Sequence, residues 1–186
     1  MIEKEVKASA EHERIREVLG DYGERVIGVA HNCATSYNDP HRDFSITDEA
    51  LRIRIVNERA VLTYKGKKLD AVSKTREEFE TDVDGDIMRN ILLSLGFVES
   101  GVVKKTRAVF EFEDIIICLD SVDGLGEFME VETMAQSKSD VELHRARVFG
   151  FLEKLGIGQG DSIRISYLEM LIDKVLDICL AKQKIT

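Results

Sequence analysis

Residues 2–8 read "IEKEVKA", which sets Glu3, Glu5 and Lys7 at alternate positions. In an extended strand, residues i, i+2 and i+4 share one face. The three ionic groups then stand together, and Ile2, Val6 and Ala8 take the opposite side. Paired carboxylates are hard oxygen ligands for Mg2+ or Mn2+. Cations beside them would bind and orient phosphate, while the metal offsets charge that grows in a transition state.

The same alternation returns along the chain. "LRIRI" puts Arg52 and Arg54 on one face against Leu51, Ile53 and Ile55, and "VLTYK" ends on Lys65. "TREEFE" groups Arg76, Glu78 and Glu80 against Glu77 and Phe79. "VVKKTR" aligns Val103, Lys105 and Arg107, and "IICLD" brings Asp120 into phase with Ile116 and Cys118. "FMEVE" sets Phe128, Glu130 and Glu132 against Met129 and Val131. Collected, these faces carry seven cations (Lys7, Arg52, Arg54, Lys65, Arg76, Lys105, Arg107) and seven anions (Glu3, Glu5, Glu78, Glu80, Asp120, Glu130, Glu132).

An antiparallel sheet with one wet side would show the same alternation, its cross-strand ion pairs adding about 0.2–1 kcal/mol each. Two features favour a groove or tunnel that holds a polyphosphate with metal. Wet strand faces ordinarily mix in Thr, Ser, Gln and Asn, whereas these are nearly pure Arg, Lys and Glu. Arginine also outnumbers lysine four to three on them, and its planar fork matches phosphate oxygens.

The elements that must position these groups are legible from periodicity. Strand-like runs fall at 2–8, 25–31, 51–57, 60–65, 74–82, 102–112, 114–120 and 127–134. Four segments read as helices. "SAEHERIREVL" has Ser9 as its N-cap, and "DGDIMRNILLSLG" ends at Gly96. In "SDVELHRARVFGFLEKLG", Ser139 and Glu142 have capping-box spacing, which Ser166 and Glu169 repeat in "SYLEMLIDKVLDICLAK". Eight short strands with interspersed helices predict an α+β fold in which helices pack outside an antiparallel sheet. The absence of a linker or repeat makes residues 1–186 a single domain.

The bulk numbers narrow the classes. The chain has 186 residues, 44% of them apolar and 33% charged, and a formal net charge of −9. That balance argues against indiscriminate nucleic-acid binding, which needs a basic face, but not against an anionic small ligand. Cys33, Cys118 and Cys179 are far apart and lack metal-ligand spacing, as buried thiols of a reducing cytoplasm would. The ionic motif begins too early for a signal peptide. The most apolar stretch is broken by Glu169, Asp173, Lys174 and Asp177, which excludes a bilayer span. An outer apolar surface that includes the last helix could support a homodimer.

The ordered set of motifs resembles the CYTH, or triphosphate tunnel metalloenzyme, superfamily. Glu3-x-Glu5-x-Lys7 is similar to its ExExK signature. "TDEALRIR" (47–54), "LTYKGK" (62–67), "KTREEFE" (74–80), "ILLSLGF" (91–97), "VKKTR" (103–107), "CLDSVDGLGEFMEVE" (118–132) and "SYLEML" (166–171) are similar to its successive blocks. The resemblance implies a closed eight-stranded antiparallel β-barrel around a triphosphate. It assigns Glu3, Glu5, Glu130 and Glu132 to Mg2+ or Mn2+, and Lys7, Arg52, Arg54, Lys65, Arg76, Lys105 and Arg107 to phosphate oxygens. Glu78, Glu80 and Asp120 would support them. Relatives carry Asp-x-Tyr-Phe or Asp-x-Tyr-Tyr where this chain has Ala34 and Ser36. The water-activating role of that tyrosine, shared with Lys7, would pass to Tyr37 or be absent. Lys67 stands where relatives commonly have proline.

The blocks look closest to the class IV adenylyl cyclase-like branch, in which the ribose 3′-hydroxyl of ATP attacks the α-phosphorus and pyrophosphate leaves. A triphosphatase acting on thiamine triphosphate, tripolyphosphate or nucleotides is the alternative, and a non-catalytic polyphosphate binder the third. Other residues read as structural. His12, His31, His41 and His144 lack ligand spacing, Arg42 and Asp43 suit a loop salt bridge, and Tyr64, Cys118 and Phe128 suit packing.

Overall fold

The computed structural model describes residues 2–21, 25–69, 76–112, 115–135, 150–153 and 155–183. Side chains are described for these except at 2–5, 21, 25–27, 112, 133–135, 159 and 179–183. Alternating ionic and apolar residues give strands β1 (Ile2–Ser9), β2 (Arg25–Asn38), β3 (Ala50–Val56), β4 (Arg59–Lys65), β5 (Arg76–Val83), β6 (Val98–Phe112), β7 (Ile115–Val122) and β8 (Gly126–Ala135). Helices α1 (His12–Asp21), α2 (Phe44–Thr47), α3 (Gly85–Ser94) and α4 (Tyr167–Gln183) stand among and after them. Asn57 and Glu58, both at positive φ (46° and 72°), turn β3 into β4. That two-residue geometry matches the right-handed twist of the strands it joins.

Every pairing is antiparallel, in the order β1-β5-β4-β3-β2-β6-β7-β8. β1 meets both ends of that order. It pairs with β8 from Ile2↔Ala135 to Ser9↔Phe128, but with β5 only at Ile2↔Glu77 and Glu3↔Arg76. The α+β architecture and its eight antiparallel strands are thus as expected, with a thin β1/β5 seam.

The apolar faces are covered from outside. Val6, Ala108, Phe110, Ile115, Ile117, Leu119, Met129 and Val131 pack against Ile15 and Leu19 of α1 and against Phe151, Leu152 and Leu155. Ile117, Leu119, Met129 and Leu152 are at most 1% exposed, and burying each such side chain contributes about 1.5–3 kcal/mol. Leu92 of α3 packs with Tyr37 and Ile53 on the adjoining sector. With these faces occupied, the ionic faces are left to point the other way.

Three local expectations change. Ser9 ends β1 instead of capping α1; the backbone N–H of His12 donates to Glu127 Oε2 at 2.9 Å, so a distant carboxylate serves the helix start. β2 runs on to Asn38, because its second half pairs with β3 on one side and β6 on the other. α4 is not wholly outside, since Tyr167, Leu168 and Ile172 border the cavity described below. Its capping box is as predicted, with Glu169 N–H donating to Ser166 Oγ at 3.1 Å. Residues 150–153 are helical and Gly156 follows at φ +74°, while Ser139 and Glu142 lie outside the described residues. Among the described residues no helix is long and apolar enough to cross a membrane.

Candidate active site

The inward faces surround a cavity of about 790 Å³. Arg52, Arg54, Lys65, Arg76, Lys105 and Arg107 border it, as do Glu78, Glu80, Glu130 and Glu132. The like-phased charges therefore converge, and the wet-face reading fails for them.

One wall is built on β3, β4 and β5. Register sets Lys65 opposite Glu78 and Thr63 opposite Glu80. Lys65 Nζ lies 2.7 Å from Glu78, Arg54 Nη2 3.0 Å from Glu80, and Arg52 Nη2 3.9 Å from Glu78. The Thr63 hydroxyl donates to Glu80 at 2.8 Å. Burial would raise the Glu80 pKa, but the Thr63 hydrogen bond and the Arg54 charge outweigh it and hold the carboxyl below its ordinary range. Arg54 is pulled below the usual arginine value, first by burial and then by neighbouring Arg52. Among the described residues, the buried side-chain atoms that have no hydrogen-bond partner are Arg52 Nε and Arg54 Nε.

The facing wall, on β6, β7 and β8, is organised around Asp120, which is fully buried. Arg107 grips it with Nε to Oδ1 and Nη2 to Oδ2, both at 2.7 Å. Lys105 Nζ donates to Oδ2 at 2.7 Å and the Tyr167 hydroxyl at 3.0 Å. Arg107 also reaches Glu132 at 3.2 Å and makes a short contact with Glu130. Burial alone would lower the Arg107 pKa; Glu130 and Asp120 reverse that and push it up. Burial holds Lys105 below the ordinary lysine value. The Cys118 thiol is pushed up by burial and stays protonated, as suits the packing role expected of it.

Lys7 stands apart from the expectation made for it. It is fully buried, and the residues bordering the cavity do not include it. Its Nζ donates to Ile165 O at 2.5 Å and lies 4.1 Å from the centre of the Tyr167 ring. Ile163 N–H in turn donates to Lys7 O at 2.7 Å. Tyr37, the other residue predicted to act chemically, borders the cavity, but its ring packs with Ile53 and Leu92. Burial and then Glu99 raise its pKa, which disfavours the phenolate.

The side chains of Glu3 and Glu5 lie outside those described. Their backbone places Glu5 directly opposite Glu132, and Lys7 opposite Glu130. Like charges at directly opposed strand positions repel, so the Glu5–Glu132 pairing suits an intervening cation, and a set of carboxylate oxygens suits a hard one. Among the described side chains alone no group of three metal-ligating residues forms.

Several residues at the cavity carry no ionic alternation and escaped the sequence reading. Tyr167 is one: its pKa is driven far up by burial, then by Glu130 and Asp120, so it remains a hydrogen-bond donor. Asp48 is another, at φ +57°. It pairs with Lys68 and, at 3.4 Å, with Arg76. Both fall inside or beside the motif blocks "TDEALRIR" and "SYLEML", which was their one sequence signal. Of the residues expected to be structural, Arg42 pairs with Glu49 at 3.1 Å, and Asp43 caps α2. Tyr64 stacks on Phe79 at 6.4 Å, and Phe128 packs on Tyr167 at 5.1 Å.

The structure is a curled antiparallel sheet whose facing ion-paired walls border one internal cavity. The chain belongs to the CYTH domain family, whose model matches residues 1–167. It is 37% identical over 172 residues to a protein of Methanocaldococcus jannaschii named putative adenylate cyclase, covering 91% of this chain and 98% of that one. Its fold matches the PH1819 protein from Pyrococcus horikoshii, with TM-score 0.84 and 38% identity over 92% of this chain and 99% of that one. A fold neighbour from Hippeastrum matches with TM-score 0.62 and 22% identity over 84% and 88% of the two chains; it is described as a putative adenylyl cyclase with a dominant triphosphatase activity.

Proposed function

We propose that this protein is a divalent-metal-dependent enzyme of triphosphates, with a class IV adenylyl cyclase-like reaction that converts ATP to cyclic AMP and pyrophosphate. The observation that carries the reading is the convergence of Arg52, Arg54, Lys65, Arg76 and Lys105 on one cavity. Several guanidinium and ammonium groups around one cavity would hold phosphate oxygens through charge-assisted hydrogen bonds. The name carried by the M. jannaschii relative supports the choice of reaction.

In this reading Arg52, Arg54, Lys65 and Arg76 hold the triphosphate from one wall, and Lys105 reaches it from the other. Glu78 and Glu80 keep the cations of their wall aligned. Glu130 and Glu132, with Glu3 and Glu5 from β1, would hold Mg2+ or Mn2+, which when bound offsets charge that develops on the phosphates. Arg107 is occupied by three carboxylates, so it orders the acidic side of the site. Lys7 holds the segment before α4 against the sheet. The β1/β5 seam closes the barrel into a tunnel, and residues 1–186 form one domain.

Purified protein incubated with ATP and Mg2+ or Mn2+ should yield cyclic AMP and pyrophosphate in equal amounts, and Glu130→Gln should remove the activity. Release of inorganic phosphate instead would replace the cyclase reaction with hydrolysis. Ligand binding without any product would reduce the protein to a binder.

A further inference from the structure

The ionic wall on β3, β4 and β5 continues past Lys65 and Glu78. Two-residue steps from Arg54 pass Arg52 and Ala50 and arrive at Asp48, just before β3. Ala50 is the register partner of Lys65, and Arg76 lies two residues from Glu78 on β5. Asp48, Lys68 and Arg76 all border the cavity. The carboxylate is firmly anchored. Asp48 is the C-cap of α2, at φ 57° and ψ 37°, and its own N–H donates to Phe44 O. Its side chain accepts the Lys68 N–H at 2.9 Å and makes a short contact with the Lys68 ammonium. Arg76 is held more loosely. Its Nη1 and Nη2 reach Asp48 O and Oδ1, both at 3.4 Å, whereas a charge-assisted N–H settles about 2.7–2.9 Å from a carboxylate or phosphate oxygen.

We propose that Asp48 is a resident competitor for Arg76. It holds the guanidinium while the cavity is empty, yields it to an outer phosphate group of a bound polyphosphate, and recovers it as the ligand leaves. This rests on the triphosphate reading above and adds a residue that limits how tightly such a ligand is held. Arg52, Arg54, Lys65, Arg76 and Lys105 around one cavity would otherwise retain any polyanion strongly. Binding that is equally tight before and after the chemical step does not speed it, and slow product release limits turnover. Two contacts at 3.4 Å give way readily to a phosphate bond of ordinary length. Lys68 engages Asp48 through both its N–H and its ammonium, so the carboxylate stays in place to compete. A carboxylate that served only to align Arg76 would sit as close to it as Glu78 sits to Lys65, at 2.7 Å.

The test is calorimetric titration of the full chain with tripolyphosphate, in EDTA so that nothing turns over. Asp48→Asn removes the charge and keeps an oxygen for the Lys68 N–H. It suits the left-handed backbone, as does Asp48→Gly. Both variants should bind tripolyphosphate about three- to fivefold more tightly than the unaltered protein, the range of a partly exposed ion pair. Asp82→Asn, which removes a negative charge from the exposed pair with Arg59, should change affinity by less than about 1.5-fold. In an Arg76→Gln background Asp48→Asn should bring no gain, because the contested group is gone. Equal or weaker binding in either Asp48 variant overturns the proposal while the triphosphate site stands. So does a gain that persists without Arg76 or appears equally in Asp82→Asn. Loss of cooperative urea unfolding in both Asp48 variants would make the residue structural and overturn it as well. If tripolyphosphate fails to bind the unaltered protein, the triphosphate reading itself falls and this inference with it.

Discussion

Arg107 and Asp120 are register partners on β6 and β7, joined fork to fork by two 2.7 Å hydrogen bonds. The carboxylate is completely buried and also receives Lys105 and the Tyr167 hydroxyl. Strands β6 and β7 are thus tied to the start of α4 through a single side chain. Because Arg107 also spans to Glu130 and Glu132, the guanidinium acts as the fixed counter-charge of the acidic wall. The seven inward cations divide accordingly into those that face the opening and those spent on internal order.

Replacing Asp120 with Asn keeps the shape and removes the charge. Lys105 and Arg107 would lose a buried anionic partner, a change that costs about 3–5 kcal/mol when one member of a buried pair is removed. Urea unfolding at neutral pH should show a loss of that size. Tyr167→Phe, which keeps the ring beside Lys7 and removes the hydroxyl that donates to Asp120, should cost about 1–2 kcal/mol. Equal losses in the two variants would deny Asp120 its place as the hub.

Arg52→Gln separates binding from stability. The arginine contributes one loose ion pair at 3.9 Å and an unpartnered Nε, and its charge depresses neighbouring Arg54. Its removal should leave unfolding free energy within about 0.5 kcal/mol of the parent. Tripolyphosphate affinity should fall about tenfold to a hundredfold, the worth of a charge-assisted hydrogen bond. A variant that loses stability while binding normally would place Arg52 among the structural residues.

How far the sequence reaches is instructive at particular residues. Arg52, Arg54, Glu130 and Glu132 were legible because a period of two leaves their apolar alternates, Ile53, Met129 and Val131, to the outer core. Tyr167 was not, because its contacts with Lys7 and Asp120 join positions 160 and 47 residues apart and no local pattern records them. Lys7 shows the complementary limit: alternation gives the face of a strand, not whether a neighbouring segment will cover it. Ile165 and Tyr167 do so here. Asp48 owes its contacts with Lys68 and Arg76 to a left-handed turn, a conformation that aspartate tolerates but does not announce.

Acid should weaken the β3–β5 wall in a defined sense. Glu80 has its folded-state pKa held below the ordinary glutamate value because Thr63 and Arg54 outweigh burial. Its contribution to stability is therefore complete above the unfolded-state value, and is lost as pH falls through the depressed one. Glu80→Gln should be less stable than the parent at about pH 7 and approach it at about pH 3.5, as the carboxylate protonates. Urea midpoints at the two pH values measure this, and a gap that widens on acidification would reverse the assigned sign.

The last prediction concerns how α4 reaches the cavity. Gly101 sits at ordinary φ, so its lack of a side chain serves space and not backbone conformation. Leu168 Cδ1 occupies the place a Cβ would crowd, at 2.5 Å. Gly101→Val should therefore overpack the contact and cost about 1–3 kcal/mol, even though valine is the better strand former. Leu168→Ala alone should also destabilise, by removing apolar contact. If the two groups compete for one volume, the double variant should be more stable than the sum of the single losses predicts, with a coupling of about 0.5–3 kcal/mol. Denaturant unfolding of the four proteins closes the cycle, and strict additivity would mean that the helix is seated by Tyr167 and Lys7 alone.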